Sequence, residues 1–478
     1  MLGKKRSHPS TSMMKTGIID SKSQLLEQRS NQVMTLLQQQ TDLIANADGL
    51  PTIRLDTDAD LSVYNTPLLK KFSVDVNLIW SLAIALYEDT VKIWFRELVS
   101  PGLSSQLDVV QRQHASDPFA CAFTYLSFGQ RDLASEESKK NKDFQLAMYI
   151  SHSEFKNVKD LVQEHINTLT AQGQWQAMSL FHKRCWYTVA GQLGYSDTDK
   201  FIVTERVSWQ CTLGMYLWYG NRADETPSLA RYNSAFDESV ADIHHLKTTK
   251  YTASPDSSCL WYQLLQWWIG DASTAQIDTW PLDLVWLLNI YKPSSSIDSS
   301  YLLKWVEQLE RMDQAELAIY AALFLPDAQQ RVNNILRQCE WTDENKLLNV
   351  YHIPSKNVYL AKALHAHDEW DFVEEYKILL EGGLYEQAKM NLLCFVLPVY
   401  FKSDDASIEK CLSYTKAYPQ GHDELIQHIQ KTLTYLLNND KNAETSQLLI
   451  EKLKQVPSKY RVRHTEELFK NLIEAILY

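Results

Sequence analysis

The chain has 478 residues, 45% of them apolar and 22% charged, with a net charge of −12. That is enough material to bury a large core. Glycine and proline number only 14 each, about half their usual share in globular chains, which argues against turn-dense all-β folds, glycine-rich dinucleotide sites and long flexible linkers. The acidic balance, without any large basic block, also argues against binding that relies on clustered Lys and Arg facing phosphate.

Residues 1–22 are rich in Ser, Lys and Met without periodicity and are expected to be disordered. Met1–Arg6 is basic, but polar Ser7–Ser12 follows where a secretory leader needs an apolar stretch, so none is expected. From Ser23 to Ile44 a thin stripe of Leu25, Leu26, Val33, Leu36 and Leu37 predicts a helix lying on something. Residues 49–64, with Pro51 and weak alternation through Ile53, Leu55 and Leu61, read as an extended lead-in. After Pro67 helical patterns follow one another without a break. Val158, Leu161, Val162 and Ile166 share one helix face. Asp327 is a plausible N-cap for a helix burying Ala328, Val332, Ile335 and Leu336. Phe372, Val373, Tyr376, Leu379 and Leu380 form another stripe, which Gly382 and Gly383 stop before Leu384 opens the next element, giving an antiparallel hairpin.

The run Ala315–Leu325 is apolar nearly all round and therefore has to be covered on several sides. Ala318 and Ala322 are expected where neighbouring helices approach closely. Strand-like runs are few and short: Phe201–Val203 and Val396–Tyr400. No fixed repeat recurs. The pattern predicts an all-α fold, an irregular stack of helix pairs with more than about 70% of ordered residues helical, against roughly one third in typical soluble domains. The longest apolar run, Leu392–Phe401, is far shorter than the roughly 20 residues that span a bilayer and contains Pro398, so a soluble protein is expected. Seven cysteines without a Cys-x-x-Cys pair read as buried thiols of a reducing compartment.

Chemistry-bearing patterns are weak. His365 and His367 invite a metal reading with Asp368 and Glu369, but residues two apart on a helix point in nearly opposite directions. His244 and His245 have the same problem. Asp404 and Asp405 form an acidic pair in a polar stretch that reads as a solvated loop. Trp209, Trp218, Trp261, Trp267, Trp268, Trp280, Trp286 and Trp305 crowd together without the interleaved Lys and Arg of a nucleic-acid stacking platform, so they read as core. Lys4, Lys5 and Arg6 are a weak nuclear-localisation signal. No nucleophile elbow, Walker loop or zinc-protease helix occurs, and no catalytic, cofactor-binding or metal-binding residue is assigned.

Three segments in order carry a resemblance. Val207–Tyr219 has the Trp-x-x-x-Leu-x-x-x-Leu-Trp-Tyr pattern, Trp280–Tyr291 the Leu-x-Trp-x-Leu pattern, and Ile353–Val399 opens with Pro-x-x-x-x-x-x-Ala-Lys-Ala and continues into a helical hairpin. Together, and loosely from Asn77 to Pro419, they resemble the scaffold nucleoporins of the nuclear pore Y-complex that are released from a larger FG-nucleoporin precursor, members of the ancestral coatomer element family. Asn357 stands where that family has Trp. The resemblance implies an irregular α-helical solenoid folded back on itself in a J. Its parts would be a disordered segment 1–22, a helix and extended segment 23–59, a trunk 60–114 and 250–420, a crown 115–249 and tail helices 421–478. It also implies a structural scaffold of the pore coat at the nuclear envelope, supporting transport of protein and mRNA without catalysis or cofactor. The crown would bind a long helical nucleoporin and the tail the Y-complex hub, with no direct nucleic-acid contact and only indirect contact with the membrane. The family also binds a small β-propeller coat protein by completing it with an extra blade, but the first 60 residues lack a set of strands for that blade, and likewise FG repeats and the autoproteolytic domain. The alternative is a vesicle-coat or tethering α-solenoid. The sequence assigns no residue to any partner.

Overall fold

The computed structural model describes residues 21–46, 49–196, 198–220, 259–268, 277–292, 299–402, 404–419, 423–438, 447, 450–451, 454 and 463–477. Its content is 72% helix. Among the described residues, sheet is confined to two antiparallel hairpins, Thr41–Ile44 with Thr52–Leu55 and Tyr195–Ser196 with Phe201–Ile202. The chain is an all-α solenoid of irregular helix pairs. It divides into two compact units, one of residues 60–284 and one that joins 1–59 to 285–478.

Many helices start on a side-chain cap. The side chains of Ser73, Asp143, Ser179, Ser208, Asp371 and Asp423 accept N–H bonds from the first turns that follow them, which satisfies donors that have no partner within the helix. Asp404 belongs to this group. Its carboxylate accepts from Ser407 N at 3.0 Å and Ser407 Oγ at 2.8 Å, and Asp405 opens the helix Asp405–Ala417. The solvated loop expected there is thus a helix start. Asp327 does occupy an N-cap position before Ala328–Gln338, but its side chain makes no capping bond; Val332, Ile335 and Leu336 are buried as their spacing requires, whereas Ala328, in the first turn, is half-buried.

In the unit 60–284 the central element is the helix Trp209–Tyr219, buried at every residue except Gln210. It packs against Val91–Val99, Ala120–Ser127 and Leu180–Val189. Trp209 stacks on Trp261 with centroids 4.9 Å apart, Trp94 and Phe95 meet Trp261 edge-on, and Trp218 Nε1 donates to Lys92 O at 2.9 Å. Of the eight crowded tryptophans seven are buried and Trp268 is half-buried. Gly191 sits where the chain leaves Leu180–Val189, with φ +74° and Tyr219 O only 2.8 Å from where a Cβ would stand; only glycine fits. In Lys156–Ala171, Val162 and Ile166 are buried, but Val158 is half-buried and Leu161 is exposed, because Leu169 completes the inward face instead.

The short hairpin near Phe201 is anchored by Asp199. Its carboxylate accepts from Lys183 Nζ at 2.7 Å, Trp175 Nε1 at 2.9 Å and Tyr187 Oη at 2.5 Å. Burial alone would raise the Asp199 pKa, but the hydrogen bonds from Lys183, Tyr187 and Trp175 outweigh it and hold the carboxyl below its ordinary value. Burial and Asp199 together push the Tyr187 hydroxyl up to about 12.

In the other unit the helix Ala315–Ala322 is enclosed. Ala315, Ala318, Ile319, Tyr320, Ala321 and Ala322 are all buried. It packs on Ser299–Arg311, Ala328–Gln338 and, from the far end of the chain, Ser21–Gln38. Tyr320 and Thr41 share a hydrogen bond, and Gln38 Nε2 donates to Tyr351 Oη at 2.9 Å. The chain therefore folds back on itself within this unit.

The N-terminal helix is Ser21–Gln38. It stops short of Ile44 because Thr41–Ile44, rich in β-branched residues, pairs with Thr52–Leu55 in the register Thr41↔Leu55 and Ile44↔Thr52. The expectation of disorder for 1–22 is overturned at Ser21 and Lys22, which are helical; 1–20 lie outside the described residues. Val396–Tyr400 is not strand-like but helical: a π-turn at Leu392–Val396 leads into Leu397–Tyr400, with Pro398 in its first turn, where a missing N–H costs little. The hairpin Ser355–Asp368, Phe372–Glu381 and Tyr385–Asn391 follows the glycine signal, with Gly383 at φ +66°. Ile426, Ile429, Leu433, Leu468, Phe469 and Leu472 share one core with Leu392, Leu397 and Leu412. A further tail stripe that the spacing predicts at Leu448, Leu449 and Leu453 lies outside the described residues.

Two outcomes follow. Ala322→Phe overpacks the enclosed helix and lowers stability by about 1–3 kcal/mol; a melting curve equal to wild type would mean that the helix is not enclosed. Asp199 contributes stability above its unfolded pKa that is lost as pH falls through its depressed folded value. Asp199→Asn therefore costs about 1.5–3 kcal/mol at neutral pH, as expected for hydrogen bonds to a charged group, and loses that acid-dependent component in melts taken from pH 7 downward.

Candidate interaction surfaces

The polar residues singled out in the sequence are dispersed by the fold. His367 Nδ1 donates to Glu375 Oε2 at 2.8 Å, whereas His365 Nε2 donates to Leu336 O at 3.0 Å, so the two imidazoles serve different neighbours. Among the described residues no three His, Cys, Asp or Glu side chains come together so as to hold a metal ion. His244, His245, Lys4, Lys5 and Arg6 lie outside the described residues. Burial pushes the Cys211 thiol up to about 11 and the Cys411 thiol to about 12, and raises Cys185 as well, the opposite of what an activated nucleophile needs. Among the described residues no helix is long and apolar enough to cross a membrane.

Among the exposed apolar residues of the described chain, two groups lie on supported surface. In the unit 60–284, Leu133, Phe144, Met148, Phe155, Leu161 and Leu180 are exposed within one stretch of chain, Phe144 at 69% and Met148 at 50%. Phe144 and Met148 are four apart on the helix Phe144–Ser151 and share a face. The helix is held firmly from beneath: Asp143 caps it through Leu146 N at 2.8 Å and pairs with His182 Nε2 at 2.7 Å, and the His182 ring stacks on Phe119 at 3.7 Å. In the same unit a cleft of about 480 Å³ is lined by Val110, His114, Phe123, Phe181, Arg184 and Glu205, among others. The Arg184 guanidinium lies over Phe123, Phe181 and Phe201 and donates through Nη2 to Ile202 O and Glu205 Oε2, both at 3.4 Å. Arg184 is buried, so desolvation lowers its pKa. It ties the hairpin near Phe201 to the helix Leu180–Val189.

The second group lies at a groove of about 370 Å³ in the other unit, lined by Trp370, Phe372, Phe395, Val399, Leu468 and Glu467, among others. Trp370 is 79% and Val399 60% exposed. Phe372 stacks on Phe395 with centroids 4.7 Å apart, and His367 meets both rings edge-on at 5.3 Å. Sequence reasoning missed both surfaces. Phe144, Met148 and Trp370 carry no sequence signal that separates an exposed apolar residue from a core one.

These findings agree with the comparisons. A family model described as Nuclear protein 96 matches residues 120–365, just over half of the chain. The Nuclear pore complex protein Nup98-Nup96 of Dictyostelium discoideum is 26% identical over 163 residues, which are 29% of this chain and 8% of that relative. The chain thus matches a small part of that relative's length. On the extent of the family match, the chain belongs to the Nuclear protein 96 family, nucleoporins of the nuclear pore complex at the nuclear envelope.

Proposed function

We propose that the chain is a structural scaffold of the Y-shaped pore coat and that it supports transport of protein and mRNA by holding neighbouring nucleoporins in place, without chemistry of its own. In this reading 60–114 and 250–420 form the trunk, 115–249 the crown that docks a long helical nucleoporin, and 421–478 the tail that joins the hub. Contact with the membrane is indirect and there is none with nucleic acid. The observation that carries the reading is the exposed face of Phe144 and Met148, which lies within the segment that matches the family. Helical scaffolds meet through apolar patches with polar rims. Buried cysteines with raised pKa values and histidines committed to separate partners support a non-catalytic role.

The test is co-purification of the tagged full chain. Phe144→Ser with Met148→Ser touches only exposed side chains and changes stability by about 0.5 kcal/mol or less. The double variant is expected to lose the long helical nucleoporin while keeping the hub. Unchanged recovery of both would remove the crown assignment, and recovery of vesicle-coat subunits with no nucleoporins would overturn the scaffold reading. Because Ile426, Ile429, Leu468 and Leu472 belong to a shared core, removing 420–478 would expose that core; the tail contact is better tested by surface substitutions such as Lys470→Glu.

A further inference from the structure

The groove at Trp370 leaves apolar surface exposed among the described residues. Trp370 sits at φ +63° where the helix Ser355–Asp368 ends, with Asp371 N donating to Ala366 O at 3.0 Å, a left-handed C-terminal cap. It leaves most of an indole in water beside a rigid floor made by Phe372 and Phe395. The rim is acidic. Asp368 and Glu369 are exposed next to Trp370, Glu467 lines the groove from the helix Arg463–Leu477, and no Lys or Arg lines it. None of these three carboxylates has an ion-pair partner among the described residues. The groove is large enough for roughly one large or two medium-sized apolar side chains.

We infer that this groove is a docking site for a basic amphipathic helix of a neighbouring scaffold protein. Two apolar side chains one turn apart would enter between Trp370, Phe395 and Val399, and Lys or Arg on the flanks would face Asp368, Glu369 and Glu467. Apolar anchors give such a site its affinity, and the complementary charge sets orientation and excludes acidic partners. The inference rests on the scaffold reading for the source of the helix, but its chemistry stands on the groove alone.

The probe is a fluorescein-labelled synthetic helix of about 18 residues with Leu on one face and Lys on the other, titrated by anisotropy into the full chain. A second peptide carries Glu in place of Lys. The Lys peptide is expected to bind at least about tenfold more tightly than the Glu peptide, and Val399→Glu to weaken it at least about tenfold. Val399→Glu adds a negative charge, so mere charge attraction would tighten binding where groove docking weakens it. Glu369→Lys with Glu467→Lys, both exposed, should weaken the Lys peptide, and Phe144→Ser should leave it unchanged. Absence of Lys-peptide binding, equal binding of the two peptides, or full binding by Val399→Glu would each overturn the inference. Val399 and Trp370 are exposed, so melting curves of the variants should match wild type. If the groove fails this test while the tagged chain still recovers nucleoporins, only the groove assignment falls; if the chain recovers none, the scaffold reading falls whatever the peptide does.

Discussion

The unit of residues 1–59 and 285–478 depends on a helix whose one charged side chain is Glu316. Between Ala315 and Ala322 all residues but the half-buried Glu316 and Leu317 are buried, so the helix is stable only where other helices surround it. The alanines let neighbouring backbones come close, and Tyr320 adds a requirement of its own, since a buried hydroxyl left without a partner is costly. Thr41 supplies that partner, 279 residues away in sequence. The return of the N-terminal segment to Ala315–Ala322 is thus part of what keeps the helix dry, and the hairpin Thr41–Ile44 with Thr52–Leu55 is placed by it.

In the unit 60–284 the helix Trp209–Tyr219 plays the equivalent part with large side chains instead of small ones. Trp209, Trp218 and Trp261 fill space between helices, and Trp218 Nε1 finds a backbone acceptor, as an indole needs when buried. Cores built this way hold their titratable groups in structural roles. Asp199 gathers three donors around a hairpin, and Arg184 ties that hairpin to a helix. What remains for function is surface: exposed apolar side chains on firmly supported elements, and carboxylates around them without partners.

Much of the fold was legible in the sequence. The stripes of Val332, Ile335 and Leu336 and of Tyr376 and Leu379 are buried as their spacing requires, because period 3.6 is imposed by the helix itself. The all-round apolar run at Ala315 announced its own enclosure. The errors came where local signals compete. Leu43 and Ile44 continued a helical stripe, yet β-branched Thr41 and Ile44 found a partner strand in Thr52–Leu55 that no local window reveals. Val396–Tyr400 has strand composition, but Pro398 is tolerated in a first helical turn after a π-turn. The acidic pair at Asp404 looked like a loop because a capping aspartate and a solvated one are the same letters. The interaction surfaces were illegible for a simpler reason: Leu161 and Val162 are adjacent and equally apolar, and only the packing decides that one faces water and the other the core.

Hydrogen exchange of the full chain, resolved by segment, tests the central claim most directly. If enclosure of Ala315–Ala322 holds this unit together, its amides exchange only with unfolding of the whole unit, together with or more slowly than those of Ser299–Arg311 and Ala328–Gln338, and the N-terminal helix Ser21–Gln38 shares their protection. Exchange of Ala315–Ala322 by local opening, faster than the helices on either side of it, would contradict the account.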